Sequence, residues 1–314
     1  MTKPAKLIAD IGGTNARFAV AQDGRVEHLA VLPTGQYKTM QDAARAFLGG
    51  LPAGIAVARG VLDIAGPVTG DRVQLTNSGW SFSIEAARRE LGFEELKVVN
   101  DFAAAALGIP RLQSAEYVQV GGGTPVPHGP IGVIGPGTGL GVAGLVFADT
   151  RWVVLPGEGG HATMPAATRE EAAILDLLRD RYGHASAERV LSGHGLQNLH
   201  MALATLRGET PAPLTDHEIT AAALAGSDAL CGHVLDLFCD MLGTVAGNLA
   251  ITLGAAGGVF LIGGILPRFA DRFAASGFRA RFESKGRLGD YMRAIPTFLV
   301  THENPALLGL AGLA

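Results

Sequence analysis

Lys6-Leu7-Ile8-Ala9-Asp10-Ile11-Gly12-Gly13-Thr14-Asn15-Ala16-Arg17-Phe18-Ala19-Val20 runs an apolar stretch into an acidic residue, turns on Gly-Gly-Thr-Asn and re-enters an apolar stretch at Phe18. The pattern predicts a β-hairpin. Two successive glycines let consecutive backbone N–H groups face one concave side, a nest able to hold phosphate oxygens, and Asp10 beside it can reach a hydrated divalent cation. An ordinary hairpin turn uses the same residue types. On this stretch alone both readings stand.

The chain has 314 residues, 48% of them hydrophobic, enough for two globular domains. A net charge of −4 with 17% charged residues gives no basic footprint for nucleic acid, so a small neutral or anionic ligand needs a local site. The 44 glycines, about twice the usual ~7%, gather at the ends of apolar runs and mark loops. At the N-terminus Lys3 and Lys6 are followed by only Leu7, Ile8 and Ala9 before Asp10, too short for a signal sequence, so a cytoplasmic location is expected. Residues 241–267 carry no formal charge and could span a bilayer by length. Seven glycines, Asn248 and the break at Ala255-Ala256-Gly257-Gly258 favour a buried helix followed by a buried strand, with no membrane partner. Cys231 and Cys239 lie eight apart in a helical pattern, roughly 12 Å between Cα atoms. That exceeds disulfide reach, and buried thiols are expected.

After the hairpin the pattern predicts a strand at residues 28–32, a helix at 40–48 started by Thr39, and a strand region at 55–64 closed by Gly66-Pro67. A short strand at 72–75 leads to a loop, Asn77-Ser78-Gly79-Trp80. Ser83 caps a helix to Leu91, and a strand at 96–99 delivers Asn100-Asp101 just before an apolar helix at 102–107. Residues 111–128 read as a crossover between domains. Strands at 131–134, 140–147 and 152–155, with the turn Gly135-Pro136-Gly137-Thr138-Gly139 between the first two, repeat the form of the opening. This suggests a duplicated fold with two phosphate-holding turns facing one cleft. Capping boxes at 168–171 and 215–218 open helices, and 228–253 is a long core helix. A strand at 259–262 ends in Gly263-Gly264, a helix follows at 267–275, and a late strand spans 297–300. A final apolar helix at 304–314 could pack on the first domain.

Residues 135–141 do not carry the G-x-G-x-x-G order, and Gly-Lys, which a Walker A motif requires, is absent. Together with the Asp10 hairpin and Gly263-Gly264, that turn makes a three-point nucleotide cradle. Asn100-Asp101 falls at the carboxyl end of a strand, where ligands gather in α/β sheets. Asp101 is there either as a helix cap or as a general base accepting a hydroxyl proton during phosphoryl transfer, with Asn100 positioning the alcohol. Gly157-Glu158-Gly159-Gly160-His161 offers a carboxylate and an imidazole suited to vicinal hydroxyls. A plain turn stays open there, as does a metal site lacking a second ligand at the right spacing. His184, His194, His200, His217, His233 and His302 show no spacing that marks a site, and Glu188 reads as a surface helix carboxylate.

Six motifs taken in order carry a resemblance: Asp-Ile-Gly-Gly-Thr-Asn-Ala-Arg at 10–17, Asn-Asp-Phe at 100–102, Gly-Thr-Gly-Leu-Gly at 137–141, Leu-Pro-Gly-Glu-Gly-Gly-His at 155–161, Ser-Ala-Glu-Arg-Val-Leu-Ser-Gly at 186–193 and Gly-Gly-Val-Phe-Leu-Ile-Gly-Gly-Ile at 257–265. The chain resembles the bacterial ATP-dependent glucokinases almost end to end. The resemblance implies an α/β, duplicated actin-like ATPase (ribonuclease H-like) fold with two domains flanking a cleft: residues 1–111 with 300–314, and residues 112–299. It implies transfer of the ATP γ-phosphate to the 6-hydroxyl of glucose, with Asp101 as general base, and Asn100, Asp101, Glu158, His161 and Glu188 holding the sugar.

Asp10, Ile11, Gly12, Gly13, Thr14 and Asn15 would line the phosphate side, with Mg2+ contacted only through water at Asp10. Gly137, Thr138 and Gly139 would form the second phosphate turn, and Gly263 and Gly264 would lie near the adenosine. A homodimer is what the family suggests. Sugar kinases and repressors related to this family usually carry a cysteine-rich zinc motif after the histidine. Here Ala162-Thr163-Met164 follows His161, so zinc is not expected there. A broader hexose kinase is an alternative. A sugar-sensing regulator would need a DNA-binding segment, and a first strand starting at Lys6 leaves no room for one.

Overall fold

Apolar residues on both sides of Gly12-Gly13 pair into two antiparallel strands, β1 (Ala5–Ile11) and β2 (Asn15–Gln22), with Asp10 opposite Arg17 and Ile11 opposite Ala16. The computed structural model describes residues 5–66, 68–75, 79–211 and 213–313. Lys3, Pro67, Asn77, Ser78 and Ala314, which entered the expectations above, lie outside the described residues. The chain divides into two units, Met1–Leu112 with His302–Ala314, and Gln113–Thr301.

In the first unit β1 and β2 are followed by β3 (Arg25–Pro33), α1 (Met40–Gly49), β4 (Val57–Ile64), β5 (Arg72–Gln74), β6 (Ser81–Ser83), α2 (Ile84–Glu90), β7 (Glu95–Asn100) and α3 (Asp101–Gly108). The five-stranded sheet runs β3-β2-β1-β4-β7. Because β1, β4 and β7 are parallel neighbours, their carboxyl ends share one edge. The helix starts follow the expected caps: Thr39 accepts from the Asp42 amide at 3.1 Å and Ser83 from the Ala86 amide at 3.0 Å.

One face of the sheet buries Leu7, Phe18, Phe47 and Leu62. The other buries Ile8, Ala19 and Val61 against Leu307 and Leu310 of the C-terminal helix Pro305–Gly312. That helix also packs on α3 through glycine at both contact points. A Cβ on Gly309 would overlap the Ala104 carbonyl oxygen, and one on Gly108 would overlap that of Pro305.

The second unit contains β8 (Tyr117–Gln119), β9 (Ile131–Pro136), β10 (Leu140–Ala148), β11 (Arg151–Gly157), α4 (Arg169–Tyr182), α5 (Gly193–Leu206), α6 (Asp216–Ala225), α7 (Ala229–Leu253), β12 (Gly258–Leu261), α8 (Ala270–Ala274), α9 (Phe278–Glu283), α10 (Gly289–Ala294) and β13 (Thr297–Val300). Its sheet runs β11-β10-β9-β12-β13-β8. Three antiparallel strands followed by two parallel ones repeat the plan of the first sheet. By length and composition α7 could cross a membrane, yet 67% of its apolar window is buried among the neighbouring elements, as befits a core helix.

Three expectations are corrected. Residues 111–128 are not only a crossover, because Tyr117–Gln119 adds β8 to the edge of the second sheet, a strand too short for a periodic signal. The helix expected at 267–275 is divided into a 3-10 turn, Leu266–Phe269, and α8, since Phe269 at φ −142 and ψ 41 leaves the helical region. The box at Thr168 is half closed. Thr168 accepts from the Glu171 amide, but the Glu171 carboxylate takes the Ala167 amide at 2.7 Å and pairs with Arg281. The Thr215–Glu218 box closes on both sides.

One buried acid stands out. Asp63 of β4 is 0% exposed, its register partner on β1 is Asp10, and neither of its oxygens meets a donor among the described residues. Burial pushes its carboxyl well above the usual range, and the charges of Asp10 and Asp101 push further the same way. An ionised Asp10 can only accept, so a protonated Asp63 donating to it satisfies both.

A carboxyl with its folded pKa raised lowers stability as pH climbs from the ordinary carboxylate range through the raised value. Asp63→Asn keeps a donor toward Asp10 without the titration. Its unfolding free energy at pH 8 should exceed that of the parent by about 1–3 kcal/mol, the gap closing near pH 4. Urea unfolding across that window checks this, and parallel pH profiles would refute it.

Candidate active site

The edge made by the carboxyl ends of β1, β4 and β7 holds the first cluster of candidate residues. Gly12 closes the hairpin turn by donating to the Asn15 carbonyl at 3.0 Å. Thr34, just past β3, ties down the rest: its hydroxyl donates to the Gly13 carbonyl at 2.7 Å and its amide to the Thr14 carbonyl at 2.9 Å. The turn carbonyls are thereby engaged, while the amides of Gly13 and Thr14 donate to no acceptor among the described residues. Asp10, half-buried below them, accepts from Arg17 Nη1 at 3.0 Å.

Asn100 and Asp101 divide two tasks at the end of β7. The cap of α3 is Asn100, whose Oδ1 accepts from the Ala103 amide at 2.9 Å, and Asp101 is the first helical residue. This settles the capping alternative raised for Asp101. Asn100 Nδ2 donates to the Gly66 carbonyl at 3.2 Å and to Asp101 Oδ1 at 3.0 Å, and that same oxygen accepts from the Phe102 amide at 2.8 Å. The carboxylate is held in one orientation by its neighbours.

The second unit has a comparable turn between β9 and β10. Gly137 donates to the Gly139 carbonyl at 2.8 Å, and Gly193 at the start of α5 donates to the Gly137 carbonyl at 2.9 Å. Again the two following amides, of Thr138 and Gly139, donate to no acceptor among the described residues. Glu188 is not on a surface helix as expected. It sits half-buried in a 3-10 turn, Ala187–Arg189, and its Oε2 accepts from the Leu140 amide at 2.9 Å, against Gly139.

The Glu158–His161 loop lies on the same end of β10. Gly159 rests on the Val142 side chain, and a Cβ on Gly160 would overlap the Leu140 carbonyl. Ala187 donates to the Ala162 carbonyl at 2.9 Å and Thr163 bridges Ser186, which joins this loop to the Glu188 turn. Glu158 and His161 are exposed. Gly263, at φ +100, packs against the end of β9, where a Cβ would come within 2.5 Å of the Pro136 carbonyl oxygen, and exposed Gly264 follows it.

The structure thus brings Asp10 to Asn15 together with Asn100 and Asp101 in one unit. It gathers Gly137 to Gly139, Glu158, His161, Glu188 and Gly263-Gly264 in the other. Three residues escaped the sequence expectations. Arg17 lay within the quoted motif but read as an ordinary strand residue. Thr34 had no signal beyond its place after a strand. Asp63 had one, since it is a lone charge in the apolar run Val61-Leu62-Asp63-Ile64 of a strand flanked on both sides.

A family model described as Glucokinase matches residues 7–314. The glucokinase of Nitrobacter hamburgensis is 52% identical over 308 residues, covering 98% of this chain and 96% of that one. A crystal structure of glucokinase from an Antarctic psychrotroph is 39% identical, with a TM-score of 0.91 over 98% of both chains. A ROK family glucokinase from Streptomyces griseus, solved in complex with glucose and AMPPNP, is 20% identical with a TM-score of 0.65 over 99% of both chains, a likeness of fold. These neighbours share the mixed α/β, actin-like ATPase architecture. With a family match across nearly its whole length, the chain belongs to the glucokinase family.

Proposed function

We propose that the two clusters act together to move the γ-phosphate of ATP onto the 6-hydroxyl of D-glucose, giving glucose 6-phosphate and ADP, with Asp101 as general base. The observation that carries this assignment is the Asn100 side chain. By capping α3 itself it relieves Asp101 of that duty, and its amide orients the Asp101 carboxylate. As the sugar O6 bonds to phosphorus and the bond to the bridging oxygen breaks, the O6 proton passes to Asp101 and ADP departs.

The free amides of the two turns suit phosphate oxygens. Ile11, Gly12, Gly13, Thr14 and Asn15 would serve one side, Gly137, Thr138 and Gly139 the other, with Gly263 and Gly264 toward the adenosine. Asn100, Glu158, His161 and Glu188 would hold sugar hydroxyls. The Leu140 amide occupies Glu188 Oε2, which leaves Oε1 for a hydroxyl.

Asp10 fits Mg2+ only loosely: a single carboxylate already paired with Arg17 suits contact through water better than a protein cage. Bound with ATP, the ion would neutralise charge on the phosphates. We place the small domain at residues 1–111 with 300–314 and the large one at 112–299. Closure of the two over the sugar would exclude the water that otherwise consumes ATP. A cytoplasmic homodimer completes the reading.

The direct test is whether ATP turnover by the purified protein requires glucose and yields glucose 6-phosphate. Turnover indifferent to sugar would refute the proposal. Asp101→Ala should lower kcat by a factor on the order of 10²–10⁴ with glucose affinity nearly unchanged, read by steady-state kinetics beside calorimetry. Full activity in that variant would remove Asp101 from the role of base. Asp10→Ala should weaken Mg-ATP use far more than glucose binding. The reverse pattern would put the nucleotide elsewhere.

A further inference from the structure

Away from both turns, three side chains of different chemistry converge between α5 and α7. His200 of α5, Asp228 just ahead of α7 and Cys231 in its first turn place a ring nitrogen, a carboxylate oxygen and a sulfur within 4.8 Å of one another. Cys231 is fully buried and His200 is 4% exposed. Asp228 has an ordinary duty, since its Oδ1 accepts from the Leu230 amide at 2.7 Å and the Cys231 amide at 3.2 Å as the cap of α7. Capping does not account for the presence of His200, whose ring nitrogen lies beside that carboxylate and that sulfur.

We propose that His200, Asp228 and Cys231 form a binding site for a thiophilic divalent cation, with Zn2+ as the best match, that staples α5 to α7. Mixed nitrogen, oxygen and sulfur donors are what zinc accepts, whereas a thiolate repels the choice of magnesium or calcium. Metal–ligand distances near 2.0–2.3 Å put tetrahedral donors roughly 3.3–3.8 Å apart, so small side-chain shifts close the set. Half-exposed Asp228 leaves the fourth position to water.

A neutral imidazole and a carboxylate donate as they stand, whereas a thiol must lose its proton to bind a metal. Binding therefore exchanges one thiol proton for one metal–sulfur bond, with no change of oxidation state.

Cys239→Ala leaves Cys231 as the one thiol of a chain with two cysteines. This protein, stripped by chelator and titrated anaerobically with Co2+, should bind one equivalent with a near-ultraviolet thiolate-to-cobalt band that Zn2+ displaces. Affinity should rise about tenfold per pH unit between pH 7 and 8, the signature of one displaced proton. His200→Asn should weaken binding at least about tenfold, and adding Cys231→Ser should abolish the band, with glucokinase activity retained in both as the check on folding. Absence of the band, a band that survives Cys231→Ser, or pH-independent binding would each overturn the site. Should Cys231→Ser fail to fold, the His200→Asn comparison and the pH slope still decide.

Discussion

Parallel pairing of β1, β4 and β7 forces three acids to one edge of one sheet: Asp10 at the end of β1, Asp63 in β4 and Asp101 just past β7. Three carboxylates in one small region would repel if all were ionised. Their environments differ. Asp10 has the Arg17 guanidinium, Asp101 has the Asn100 amide and the Phe102 N–H, and Asp63 is pushed toward the neutral acid by burial first and then by the charges of Asp10 and Asp101. A neutral Asp63 adds no third charge beside Asp10 and Asp101.

The two glycine turns follow a common plan. In each, the carbonyls are tied back into the protein, by Thr34 in one and by Gly193 in the other, while two consecutive amides face outward. Thr34 and the start of α5 thus fix the two turns although neither carries reactive chemistry. Glycine serves a different purpose at Gly160 and Gly263, where the loop backbone presses on the Leu140 and Pro136 carbonyls and a methyl group has no room.

Much of this was legible in the sequence because it rests on local rules. The hairpin at Asp10, the helix starts at Thr39, Ser83 and Thr215, and the strand delivering Asn100-Asp101 all follow from apolar period, capping residues and glycine punctuation. What escaped depends on partners distant in the chain. β8 exists because β13 offers it an edge, and Glu188 leaves the surface because the Leu140 amide, 48 residues away, needs an acceptor. Asp63 was visible as an odd charge in an apolar strand, but its meaning appears only once Asp10 is seen beside it in register.

Asn100 shows how one residue can decide between two readings of its neighbour. An aspartate at the mouth of a helix is ordinarily a cap, and a capping carboxylate spends its lone pairs on the helix amides. Here the residue before it does the capping with a neutral amide, and the nitrogen of that amide turns back to grip Asp101. An acidic side chain in the first turn of a helix is favoured by the helix dipole. A neutral cap followed by a charged first residue therefore gives a capped helix and a carboxylate held in place by its neighbours.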